Sequence, residues 1–199
     1  MKLISAKFEN FRLLRDLEIK FSHDHDKNLT VIRAANDTGK TTILTALQWA
    51  LYGDSALPGK GDDYRLHPLD WEARDGRVPI SVSIIFELTS YRKSRSGTSE
   101  VRNRYEIVRL AFEEVSGTAF KRSPSVIKLF RITDKGTEPL DSPESFINEE
   151  LPLELREVFF TDGDRALSFI EADVSISTKR ERVQRAIRSL LGLGNIEEA

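Results

Sequence analysis

The run Arg33-Ala34-Ala35-Asn36-Asp37-Thr38-Gly39-Lys40-Thr41-Thr42 holds the residue types and the spacing that handle phosphate. It follows a short apolar run, Leu29 to Ile32, and leads into the helical pattern Ile43-Leu44-Thr45-Ala46-Leu47-Gln48-Trp49-Ala50-Leu51-Tyr52. A strand, a tight loop ending in Gly-Lys-Thr and a helix make a phosphate-binding loop. Backbone N–H groups of the loop and the helix N-terminus point at the phosphates, and a lysine adds a charge that reaches the terminal ones. Thr41 is placed to hold a magnesium ion by its hydroxyl. The pattern G-x-x-x-x-G-K-[ST] departs at its first position, where Ala34 stands for glycine; alanine fits there only at negative φ. Asp37 is a second departure, because a carboxylate beside phosphates repels them unless it turns outward or faces the metal.

The elements that must position this loop are legible on both sides of it. Residues 2 to 9 and 15 to 21 alternate as two strands, joined through Glu9-Asn10-Phe11-Arg12. After the helix, residues 53 to 78 read as a long polar loop, which in a compact domain is functional or mobile. Trp71 within it either packs on the body or stacks on an adenine, with packing favoured. Val78, Ile80, Val82, Ile84, Phe86 and Leu88 alternate as one face of a strand, and a second strand spans about Val101 to Phe112. Their connection, Ser90 to Glu100, reads as flexible. Arg92, Lys93, Arg95, Arg102, Arg104 and Arg109 make this hairpin basic, which leaves open a solvated tip or a contact with a nucleic-acid backbone. A further strand fits Val126 to Ile132, ending in the turn Asp134-Lys135-Gly136. Ser142-Pro143-Glu144 has the cap and first-turn proline of a helix reaching about Leu151. Residues 177 to 192 carry an apolar helical stripe ringed by lysine and arginine.

Thirty basic and 32 acidic residues give a net charge of -2, so nucleic-acid contact must be local, not a coating of positive charge. The 39% hydrophobic content suffices for a core. No apolar run reaches the length of a membrane span, the chain starts like a strand, and cysteine is absent, so the expectation is a soluble cytoplasmic protein. His23-Asp24-His25-Asp26 reads as a solvated turn, and His67 stands alone without a visible constellation.

A second acidic site, normally an Asp ending an apolar strand, is hard to place. Glu87 belongs to an ordinary alternating strand, and Asp162 ends the short run Val158-Phe159-Phe160-Thr161. No Leu-Ser-Gly-Gly loop occurs. The residues therefore describe nucleotide binding more completely than hydrolysis.

Together these segments resemble the N-terminal half of an ABC-type ATPase head of the SMC and SbcC-like group. Ile4-Ser5-Ala6-Lys7-Phe8-Glu9-Asn10-Phe11-Arg12 resembles the group's first strand and Asn-Phe-Arg turn, and Asn36 to Gly53 resembles its phosphate loop and first helix. Phe159-Phe160-Thr161-Asp162-Gly163-Asp164 is similar to the Phe-Phe-x-Asp-Gly-Glu segment of the DndD group, ATPases of DNA phosphorothioation. Arg185 to Leu193 looks like the segment leading into a coiled coil.

The resemblance implies an α/β P-loop lobe over residues 1–199, with a mixed sheet around the loop, an antiparallel β layer, and 177–192 leading toward a coiled coil. It implies an ATPase using ATP and Mg2+. Lys40 would neutralise the terminal phosphates as a catalytic residue; Asn36, Asp37, Thr38, Gly39 and Thr42 would line the nucleotide, with Thr42 nearest the α-phosphate. Thr41 and Asp162 would serve the metal, Asp162 also being catalytic, and Asn10 and Arg12 would touch phosphate or ribose. The expected partners are a C-terminal half carrying the signature loop, a second head in a homodimer, DNA, and other modification, repair or defence proteins. Two rivals remain: a self-contained phosphotransferase using Asp162, and a DNA-binding module with a degenerate loop.

Overall fold

A computed structural model describes residues 1–160 except 25, 36, 37, 60–62, 95, 96, 154 and 155. Two compact units are present, Met1–Ile147 and Asn148–Ala199. The first is built on strands β1 (Lys2–Phe11), β2 (Leu14–Lys20), β3 (Gly76–Ser94), β4 (Gly97–Ser116), β5 (Ala119–Arg122), β6 (Val126–Thr133) and β7 (Gly136–Leu140). They form one sheet in the order β2-β1-β3-β4-β6-β7, with β5 also beside β4. The α/β class holds. Every pairing among the described residues is antiparallel, in agreement with the expected antiparallel layer.

The period of two on β3 decides the core. Val78, Ile80, Val82, Ile84, Phe86 and Leu88 are all buried, as the alternation requires. On β1, Ala6 and Phe8 face the same core, and a positive φ of 54° at Asn10 breaks the alternation, so that Phe11 is buried next. Helix α1 (Lys40–Tyr52) lies against β1, β3 and β4. Thr45 through Leu51 are all buried, with the Trp49 ring 5.5 Å from that of Phe11 and its indole N–H donated to Asp54 at 2.7 Å. A helix buried this far around is held by packing more than by amphipathicity, and a residue the size of Trp49 contributes about 3–5 kcal/mol against truncation to alanine.

Several expectations change. The run Leu29 to Ile32 forms no strand: Leu29 and Val31 are 77% and 76% exposed, because no described strand lies alongside to complete a ladder. The basic hairpin is ordered far beyond the expected strand ends, its register running unbroken from Gly76↔Val115 to Ser94↔Gly97. Strands β5 and β7 go beyond the sequence expectation; each is short and continues a hairpin. The segment 53–78 is no simple loop, since its described residues include the 3-10 turns Gly53–Ala56 and Leu69–Ala73 and bury Leu57, Leu66 and His67. Trp71 is partly exposed with Arg74 5.9 Å over its ring. The turn at 134–136 and helix α2 (Pro143–Glu150) fall where expected, with Phe146 N–H donated to Ser142 O.

In the second unit a single turn, α3 (Arg156–Phe159), lies among the described residues. Asp162 and 177–192 lie outside them. No helix among the described residues is long and apolar enough to cross a membrane.

Arg109 is the main reassignment. The alternation of β4 places it on the core face between Ile107 and Ala111, 5% exposed, not on the hairpin tip. Its Nε donates to Ala50 O at 3.1 Å and its Nη1 to Ser125 Oγ at 3.1 Å. Burial lowers its pKa, opposed by Glu144 and Asp54, and its cation meets the carbonyl end of α1, the favoured sign at a helix C-terminus. Gly53 closes that end at φ 74°, and a Cβ there would stand 3.2 Å from Arg109 Nη1. Gly53→Ala is expected to cost about 1–3 kcal/mol of stability, from the positive-φ conformation together with the displaced guanidinium. Urea unfolding checks this, and an unchanged midpoint would contradict it.

Candidate functional site

The start of α1 is set by Gly39, which caps the helix at φ 103° and ψ 19°. That conformation strains any side-chain-bearing residue, so glycine belongs here for backbone reasons. The first intrahelical bond runs from Ile43 N–H to Gly39 O at 2.9 Å. The amides of Lys40, Thr41 and Thr42 thus have no acceptor within the helix, and no side chain caps them. Three N–H groups converge at the positive end of a helix whose other end is clamped in the core. Such an arrangement suits the binding of an anion.

Lys40 extends back under the loop and donates to Ala34 O at 2.9 Å and Ala35 O at 2.6 Å. Thr38 Oγ donates to Ala35 O at 2.7 Å. The ammonium therefore shapes the loop around itself, and its charge stays beside the helix start. Lys40 and Thr41 are exposed, Thr42 is half-buried, and Gly39 is buried. Asn36 and Asp37 lie outside the described residues, as does Asp162. The donor set fits phosphate: amides and an ammonium for oxygen anions, with the Thr41 hydroxyl available to a hard cation such as Mg2+.

The β1–β2 turn completes the wall. Phe11 pairs with Leu14, leaving Arg12 and Leu13 as a two-residue turn. Such turns favour positive φ at the first central position, and Arg12 has φ 53°. A non-glycine residue there costs about 1 kcal/mol or more, so its side chain invites a functional reading. A Cβ built on Gly39 would lie 3.6 Å from Leu13 Cβ and 3.6 Å from Leu14 Cδ2, which places the turn against the helix start.

Of the two candidates on this turn, Asn10 is engaged structurally, donating Nδ2 to Pro79 O at 2.9 Å. Arg12 instead lays its guanidinium over the Tyr64 ring, 4.6 Å from the centroid, and donates its backbone N–H to Leu66 O at 2.5 Å. The arrangement thus brings the Arg12–Leu13 turn, through Leu13 and Leu14, against Gly39, the residue that precedes Lys40 and Thr41.

Sequence reading missed Tyr64 and the residues behind it. Glu113 and His67 are fully buried. The Glu113 carboxylate accepts from Leu66 N–H, from His67 N–H at 2.8 Å and from Arg122 Nε at 2.9 Å, and lies 2.7 Å from His67 Nδ1. Arg122 Nη2 also donates to Tyr64 O. A signal was present: the buried face of β4 reads Tyr105, Ile107, Arg109, Ala111, Glu113, Val115, with two charged residues on an otherwise core-facing stripe.

Comparison with known proteins gives two findings. A family model described as "AAA domain" matches residues 5–195. The SbcC component of the nuclease SbcCD from Staphylococcus aureus strain MRSA252 is 29% identical over 137 residues, covering 64% of this chain and 13% of that protein. The same component from strains JH9 and Newman matches with the same identity and coverage. The matched segment is thus a small part of these relatives.

Lys40→Met keeps the aliphatic stem and removes the ammonium. The fold should change in stability by only about 1–2 kcal/mol, since two hydrogen bonds at an exposed loop are lost. Inorganic tripolyphosphate should raise the melting temperature of the wild type and leave Lys40→Met unmoved; equal stabilisation of both would place the anion elsewhere.

Proposed function

The chain belongs to the AAA domain family, and from that premise we propose that it is the ATP-binding N-terminal lobe of an SMC- and SbcC-like, DNA-associated ATPase head. The observation that carries the reading is the glycine-started, core-clamped helix α1 with Lys40 at its amide-exposed end and Arg12 on the adjoining turn. The similarity to the SbcC component of the nuclease SbcCD supports the same direction.

In this reading Mg2+ would be held by the Thr41 hydroxyl and supply charge neutralisation between phosphates. The amides of Lys40, Thr41 and Thr42 fix the phosphate oxygens, Lys40 exchanges its loop carbonyls for the terminal phosphate, and Arg12 approaches from the turn. Asp162 is proposed as the residue that reaches the metal or its water. The DndD-like assignment rests on Phe159 to Asp164, and with it a role in DNA modification, repair or antiphage defence.

The exposed apolar residues Leu29, Val31 and Ile32 support the need for a complementary half. Lying just before the phosphate loop, they are suited to pair with a strand from a C-terminal half, which would bring the signature loop and catalytic acid. Two such heads are proposed to close over two ATP molecules.

Mg-ATP should bind the isolated chain with micromolar affinity, lost in Lys40→Ala, by calorimetry. Turnover should be negligible until the C-terminal half is added. Rapid hydrolysis by this chain alone would favour the self-contained phosphotransferase, and absence of binding the degenerate-loop module.

The DNA contact is proposed on the β3–β4 ribbon. β1 pairs with β3 only as far as Glu87, and β6 pairs with β4 only from Arg104. Residues 88–94 and 97–103 therefore pair only with each other among the described residues, a two-stranded arm of about 23 Å at 3.3 Å per residue. Arg92 and Lys93 sit near its end, with Arg95 outside the described residues. Arg102 and Arg104 are each already beside a carboxylate, Glu100 at 2.6 Å and Glu87 at 3.5 Å. Reversing Arg92, Lys93 and Arg95 to glutamate should weaken duplex binding and flatten its salt dependence by about three phosphate contacts. An unchanged salt slope would remove the arm from the interface.

A further inference from the structure

We propose that the buried Glu113–Arg122 pair is a positioning device for the nucleotide site: it fixes the segment Tyr64–His67, which in turn holds Arg12 beside the phosphate loop. The path is continuous. Glu113 accepts from the backbone N–H groups of Leu66 and His67, the latter at 2.8 Å. The carbonyl of that same Leu66 accepts the Arg12 N–H at 2.5 Å. One residue therefore carries the connection across, its N–H held by the buried carboxylate and its C=O holding the strained turn. Arg122 works on the neighbouring residue: it donates to Glu113 at 2.9 Å and to Tyr64 O, and the Tyr64 ring lies under the Arg12 guanidinium. Backbone and side chain of Arg12 are thus both referred to the same pair.

Stability alone does not account for this construction. Glu113 is fully buried and the Arg122 side chain is 5% exposed. Burying an ion pair costs desolvation that its attraction barely returns, and apolar residues of similar volume serve a core as well. The neighbours on the same face of β4, Ala111 and Val115, are apolar and buried. What an apolar pair cannot do is grip two successive backbone amides and a carbonyl of an irregular segment. The His67 ring, edge-on to Phe120 at 5.5 Å and 2.7 Å from Glu113, closes the cluster from the remaining side. The cluster therefore serves to set one irregular segment in one place, and that segment in turn contacts Arg12.

The inference rests on the nucleotide-binding reading, so its test has one arm that needs no nucleotide. In Glu113→Gln, hydrogen exchange of the Arg12, Leu66 and His67 amides should quicken by about tenfold or more while the β3–β4 ladder keeps its protection. Mg-ATP affinity should fall by about tenfold, a change of 1.4 kcal/mol, and Glu113→Gln should add nothing in an Arg12→Ala background. Arg122→Lys, which keeps the charge and loses the planar fork, is the gentler variant should Glu113→Gln fail to fold. It too should weaken Mg-ATP binding only while Arg12 is present. Unaltered Arg12 exchange in the folded variants, or losses that multiply with Arg12→Ala, would overturn the proposal. Loss of binding in the wild type would instead defeat the nucleotide reading, and the exchange arm would still decide the positioning.

Discussion

The structure depends on one packing event, the burial of α1 across the sheet. Trp49, Phe11 and the β3 stripe of Val78 to Leu88 remove the helix from water around most of its circumference. A helix buried this completely cannot shift along its axis without breaking contacts on β1, β3 and β4 at once. Arg109 then ties its carbonyl end to β4, and Gly53 turns the chain away where an added Cβ would crowd the guanidinium. The consequence appears at the opposite end, where the amides of Lys40 to Thr42 are held at a fixed place and direction. An anion site needs little more than that, since its donors are backbone groups whose positions the core has already set.

A second layer of control runs through charge. Two polar side chains interrupt the apolar face of β4, and each has a different task. Arg109 meets the helix carbonyl of Ala50; Glu113, with Arg122 and His67, meets the amides of the segment after the helix. Both convert an irregular backbone end into a satisfied one. This matters because unsatisfied buried amides are costly. Surface pairs such as Lys7–Glu9, by contrast, sit in water and contribute little.

Much of the frame is readable in the chain. The alternation on β3 names its six buried residues, Ser142-Pro143 marks the start of α2, and Gly39-Lys40-Thr41 marks the start of α1, because each is a local rule of period, cap or turn. Legibility ends where the deciding partner is distant in sequence. Leu29 to Ile32 has the composition of a strand, but a strand forms only beside another, and none is described there. Arg109 groups with the hairpin's basic residues when charge is summed along the chain; the period of two, applied to the same residues, puts it in the core. His67 looks solitary because its partner Glu113 stands 46 positions away. At the site, Gly39, Lys40 and Thr41 follow from the motif, whereas Tyr64 and the cluster behind it carry no motif at all.

The start of α1 and the turn at Arg12 are proposed to form one phosphate site. Amide chemical-shift mapping of the isotopically labelled chain on titration with Mg-ATP tests it most directly. The largest displacements are expected at Gly39 to Thr42, together with Arg12 and Leu13 and with matching concentration dependence. Saturating shifts elsewhere on the sheet, with Gly39 to Thr42 unmoved, would contradict it.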